Sequence, residues 1–128
     1  MQIDFITIST NDLDQSIAFY EDVLEFRLLR QFDPSPGVRI AFMGDGGQNK
    51  IELIERGPFE PPKQPCVSLG FEVEDMDLVH EDLVAMDVTI LEPPHTLPNG
   101  TRLMLAVDPN GVGLGFVQEA EEEDLMEF

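Results

Sequence analysis

Shifted by 63 residues, the second half of the chain falls on the first without a gap. Asp12 lands on Asp75, Asp14 on Asp77, Leu28 on Leu91, Gly37 on Gly100, Arg39 on Arg102 and Asp45 on Asp108. Six identities alone would say little, but the element pattern repeats with them. An alternating strand pattern, Ile3 to Ser9, leads to a cap at Asn11 or Asp12, with Gln15 placed as in a capping box. Leu13, Ile17, Tyr20 and Leu24 then form one apolar stripe of a helix. Strands are expected at Phe26 to Phe32, Val38 to Met43 and Lys50 to Glu55, with turns at Asp33 to Gly37 and Gly44 to Gly47. Residues 57–65 hold four prolines, which excludes a central strand or helix and marks a linker. The order then recurs: a strand from Val67 to Val73, a cap at Asp75, and a helix striped by Met76, Val79, Leu83 and Met86. A strand from Val88 to Leu91, a turn-rich loop from Glu92 to Gly100 and a closing hairpin complete it. Neither βαβββ unit can bury its sheet alone. The expectation is an α+β fold of two mainly antiparallel four-stranded sheets, one helix outside each, related by a pseudo-twofold axis and forming an open cleft.

The closing hairpin is the most distinctive local stretch. Asp108-Pro109-Asn110-Gly111 is a strong turn, because proline presets the first central residue and asparagine and glycine tolerate positive φ. Beyond it, Gly111, Gly113 and Gly115 alternate with Val112, Leu114 and Phe116. One strand face is therefore packed and the other nearly bare. A bare face costs packing, and the usual reason is a backbone or ligand lying close. The domain is expected to cover residues 1–118, as modules 1–57 and 66–118, with an acidic tail at 119–128.

Composition narrows the partners. Seven basic residues against 26 acidic ones give a net charge of −19. Nucleic acid needs basic patches and is excluded as a partner, and anionic membrane surfaces are disfavoured with it. Six of the last ten residues are acidic, the pattern of a solvated tail. No apolar run approaches the roughly 18 residues of a membrane span, and no charged-then-apolar leader is visible. The single cysteine, Cys66, cannot form an intrachain disulfide, fits a reducing cytoplasm, and is expected to be a small buried hydrophobe.

Duplicated βαβββ modules, a helix entered through Asn11-Asp12-Leu13 and running past Phe19-Tyr20, the strand Ile51 to Glu55, and the closing Asp108 hairpin resemble the vicinal oxygen chelate superfamily. It includes glyoxalase I, extradiol dioxygenases and the bleomycin resistance proteins. Metal-dependent members take one ligand from the first and last strand of each module, so the resemblance places ligands at Phe5, Glu52, Ser68 and Gly115. Positions 5 and 68, and 52 and 115, are also repeat partners at the same offset. Only Glu52 has a ligating side chain, so no metal is expected and no other cofactor is indicated. The resemblance also implies that small two-module chains pair, and a first strand opening on Met1-Gln2-Ile3 would leave an edge to cover. A homodimer is the expected assembly.

In place of a metal, Phe5, Thr7, Ser68, Gly70, Gly113 and Gly115 are expected to line the cleft, with Phe5 as an aromatic floor and the small residues enlarging it. This suits a flat, partly apolar small molecule bound without turnover. Glu52 is the tentative catalytic residue, a general base if the chain is instead a lyase, isomerase or dioxygenase. Arg39 and Arg102 share equivalent strand positions, and Arg102 is a candidate for holding an anionic group, although strand parity leaves its direction open. His95 lies in the expected loop over the cleft, and His80 falls on the flank of the second helix.

Overall fold

Asp12 and Asp75 open the two helices in the same way. Each sits in extended backbone and accepts the N–H three residues on, Gln15 at 3.0 Å and Leu78 at 3.2 Å. This satisfies one of the four donors a helix N-terminus leaves free. The helices, α1 (Leu13–Asp22) and α2 (Met76–Ala85), have the same length at the same repeat offset. They come from a computed structural model that describes residues 1–121, in which the chain divides into two compact units meeting at Pro62 and Lys63. The tail beyond Glu121 lies outside the described residues.

The first unit holds β1 (Ile6–Ser9), β2 (Arg27–Ser35), β3 (Val38–Gly44) and β4 (Lys50–Glu55) in the order β1-β4-β3-β2, with β1 parallel to β4 and the other pairs antiparallel. The second repeats this as β5 (Ser68–Glu72), β6 (Thr89–Thr96), β7 (Arg102–Val107) and β8 (Gly113–Gln118) in the order β5-β8-β7-β6. Each helix packs on one face of its own sheet. Leu13, Ile17 and Tyr20 of α1 are buried with Ile8, Ala41, Met43, Ile51 and Leu53. In the second unit Met76 and Leu83 are buried with Met104, Ala106, Leu114 and Phe116. A fully buried aliphatic side chain of this size contributes about 1.5–3 kcal/mol. The stripes therefore determine which sheet face is covered and which stays open.

Three local expectations need correction. The stretch from Glu92 to Gly100 is not a loop throughout, because β6 continues to Thr96 through Pro93 and Pro94. Proline cannot donate to a ladder, but β6 is the edge of its sheet, and its register slips between Ile90 and Glu92 and between Glu92 and His95. The same reasoning carries β2 past Pro34 to Ser35, shrinking the expected turn to Pro36 and Gly37 (φ 80°). Cys66 is exposed, not buried, because it lies in the connecting segment before β5 begins.

Candidate functional site

The open face of the first sheet is built by register. Thr7 pairs with Glu52, Glu52 with Phe42, and Phe42 with Arg30, so one row of side chains crosses all four strands. Side chains opposite each other in a ladder share a face. The next row, Ile8, Leu53 and Ala41, is buried beneath α1, which leaves the Thr7 row on the uncovered side. Thr7 Oγ1 donates to Glu52 Oε1 at 2.9 Å. Phe5, just before β1, meets Phe42 edge to face at 5.2 Å between centroids, and Phe32 stacks against Phe42 at 6.4 Å and 10°. The Arg30 guanidinium lies 4.3 Å from the centre of the Phe32 ring. The result is an aromatic surface with a carboxylate at one side and a guanidinium at the other.

Of the residues singled out in the sequence, Phe5, Thr7 and Glu52 lie together on this face of the first sheet. Arg30, Phe32 and Phe42 were missed. Alternation along β3 puts Phe42 with Ile40 on one face, a usable signal. A register shift between Leu28 and Arg30 obscures β2, so its facing is fixed only by the pairing of Arg30 with Phe42.

On the second sheet, Gly70 pairs with Gly115, Gly115 with Leu105, and Leu105 with Glu92. The neighbouring row of Leu114 and Ala106 is the buried one. A Cβ placed on Gly70 would meet nothing within 4 Å, and on Gly115 only the Leu69 carbonyl oxygen at 3.8 Å. These two positions leave real space. Gly113 does not, because a side chain there would strike Ser68 Oγ and come within 3.2 Å of Pro65 Cβ. Its bareness serves packing, and Ser68 occupies the space beside it.

Arg102 does not join this face. Its guanidinium pairs with Asp77 of α2 at 3.0 Å, as Arg39 pairs with Asp14 of α1 at 3.1 Å. The Asp14 hydrogen bond and charge, with weaker help from Glu55 at 3.9 Å, hold the Arg39 pKa above its ordinary value. Both arginines tie a sheet to its helix. His95 stands on β6 opposite Leu103, exposed, with Nδ1 3.3 Å from the Pro93 carbonyl oxygen. His80 is half-buried on α2.

The four places assigned to metal ligands hold Phe5, Glu52, Ser68 and Gly115. Their only carboxylate already accepts from Thr7, and among the described residues no three His, Cys, Asp or Glu side chains come together as a metal-binding group. This donor set does not fit a dedicated divalent-ion site.

A family model described as the Glyoxalase/Bleomycin resistance protein/Dioxygenase superfamily matches residues 2–116. The uncharacterized protein YwbC of Bacillus subtilis is 32% identical over 91% of this chain and 97% of its own length. A probable lactoylglutathione lyase of Synechocystis sp. is 28% identical over 91% of this chain and 95% of its own. A lactoylglutathione lyase of Oryza sativa is 32% identical, but the chain covers 44% of it. Among solved structures, a superfamily member from Sphaerobacter thermophilus matches with TM-score 0.74 and 25% identity over 93% of this chain and 98% of that one. Glyoxalase I from Zea mays shares the fold, with TM-score 0.75 and 22% identity over 94% of this chain and 45% of that one.

Proposed function

The chain belongs to the Glyoxalase/Bleomycin resistance protein/Dioxygenase superfamily, and on that premise we propose that it binds a small organic molecule without a metal ion. The observation that carries this reading is the open face of the first sheet, where Phe5, Phe32 and Phe42 lie beside the Thr7–Glu52 pair. Binding sites for small molecules combine apolar and aromatic lining with a few fixed polar groups. Glycine at positions 70 and 115 is consistent with ligand space on the second sheet as well. A lone, exposed thiol fits a reducing compartment such as the cytoplasm. Among the described residues no helix is long and apolar enough to cross a membrane.

A thermal-shift screen of aromatic and anionic metabolites, run on chelator-treated protein, tests the proposal. Binding to the native state raises the melting temperature with ligand concentration. The expected result is a subset of aromatic compounds that stabilise the protein equally with and without chelator, and substoichiometric zinc, nickel and iron in the purified chain. Stabilisation that requires a divalent metal, or its absence across the whole screen, would overturn it.

The names of the Synechocystis and Oryza relatives support a second reading, in which the chain turns over a substrate such as lactoylglutathione. Glu52 is then the residue to act as general base, steadied by the Thr7 hydroxyl. Turnover of lactoylglutathione by the purified chain, abolished in Glu52→Gln, would establish this alternative. Turnover equal in both proteins would exclude Glu52 as the base.

A further inference from the structure

The polar groups on the open face of the first sheet differ in kind from one side to the other. At β4, one Glu52 oxygen is occupied by Thr7, and the carboxylate keeps lone pairs for another donor. That corner therefore asks for a hydroxyl or amino group. At β2, Arg30 presents a guanidinium fork held against the Phe32 ring. Among the described residues Arg39, Arg102 and Lys50 are engaged by Asp14, Asp77 and Asp4, whereas Arg30, like Arg27, Arg56 and Lys63, has no carboxylate partner, and it is the one of these four set against the aromatic cluster of this face. A guanidinium in that state is suited to a carboxylate, which it can hold through two parallel hydrogen bonds. Between the corners stands Phe42, flanked by Phe5 and Phe32. Arg30 and Glu52 are separated by two strand spacings, roughly 10 Å between their backbones. Thr7 draws the Glu52 carboxylate toward β1 and Phe32 holds the Arg30 guanidinium on β2, so the two polar groups stand on opposite sides of Phe42.

We propose that this face takes a flat aryl carboxylate bearing a hydroxyl or amino group across the ring, with the carboxylate on Arg30, the ring on Phe42 and the donor on Glu52. The proposal rests on the ligand-binding reading of the same face and specifies its ligand class and polarity. A neutral arene would leave both corners to water. An aliphatic diacid would lose the aromatic contacts and place a second negative charge against Glu52.

Isothermal titration of the full chain with 4-aminobenzoate, 4-hydroxybenzoate, benzoate, aniline and methyl 4-aminobenzoate tests it. The two para-substituted acids are expected to bind at least fivefold more tightly than benzoate, and the methyl ester at least tenfold more weakly than 4-aminobenzoate. Arg30→Gln should weaken both acids at least tenfold. Glu52→Gln should bring 4-aminobenzoate and benzoate closer together while leaving benzoate nearly unchanged. The ester comparison uses the unaltered chain, so the outcome does not depend on either variant folding. Equal affinity for the acid and its ester, or for 4-aminobenzoate and benzoate, would overturn the assignment of the two corners. Tight binding of aniline or another neutral arene, indifferent to Arg30→Gln, would overturn it while leaving ligand binding by the face intact. Failure of every aromatic compound to bind would overturn both.

Discussion

Asp45 turns the β3–β4 hairpin with one side chain. Its carboxylate accepts the Gly47 N–H at 2.8 Å and the Asn49 amide at 3.0 Å, and Gly46 takes φ 89° between them. The Asn49 hydrogen bond holds its carboxyl below the usual carboxylate range, outweighing the opposing effect of burial, with a weaker contribution from the Gly47 N–H. A depressed native pKa contributes stability that is present above the unfolded value of about 3.9 and lost as pH falls through the native value. Asp45→Ala should therefore cost about 0.5–1 kcal/mol at pH 7, discounted for exposure, with the gap to the parent closing as pH drops below about 3.9. Urea unfolding at pH 7 and pH 3 measures it, and an equal gap at both would refute the carboxylate's role. The repeat partner Asp108 holds the Asn110 and Val112 N–H groups, each at 2.8 Å, in a buried version of the same turn. Such turns were legible because their chemistry is local. Arg102 was not, because which way a strand residue points depends on a register, here Arg102 opposite Gln118, that no short window of sequence contains. Gly113 was misjudged for a related reason: a missing side chain looks the same in sequence whether a ligand or Ser68 fills the space.

At the scale of elements, the last strand of each unit reaches back to the first turn of its helix. Glu55 Oε1 accepts the Leu13 N–H at 2.8 Å, and Gln118 Oε1 accepts the Met76 N–H at 2.7 Å. One position uses a carboxylate and its repeat partner an amide, so the neutral acceptor suffices for the geometry. Glu55→Gln should consequently cost less than about 0.5 kcal/mol, the loss of a long contact with Arg39 and of some favourable charge at the helix N-terminus. Glu55→Leu strands a half-buried N–H and should cost about 1–3 kcal/mol. Denaturant midpoints of the two variants check this, and equal losses would show that charge, not acceptance, is what the helix needs. Element order was legible throughout, since stripes, caps and turns agree between the halves. Element ends were not. Pro93 and Pro94 read as breakers until β6 is known to be an edge, and edge position depends on pairing among distant strands.

For the molecule as a whole, the edges point to assembly. In each unit the first strand and the second are the sheet edges. Pro34 interrupts β2 and Pro93 and Pro94 interrupt β6, a common protection against pairing with another chain. Around β1 there is no such guard, and Ile3 and Ile6 are 87% and 38% exposed. Apolar surface of this kind favours burial against a partner, and a twofold arrangement is the commonest closed solution. A net charge of −19 opposes it, but repulsion between exposed charges fades beyond roughly 8–10 Å at physiological salt. Pairing should therefore strengthen with ionic strength, the reverse of an association held by opposite charges. We expect light scattering to return twice 14.4 kDa at physiological salt and to move toward 14.4 kDa at low salt. Ile3→Glu should favour the monomer by adding charge where apolar contact is needed, without touching the core. A mass of 14.4 kDa at both salt concentrations would exclude the dimer, and a dimer untouched by Ile3→Glu would move the interface away from this edge.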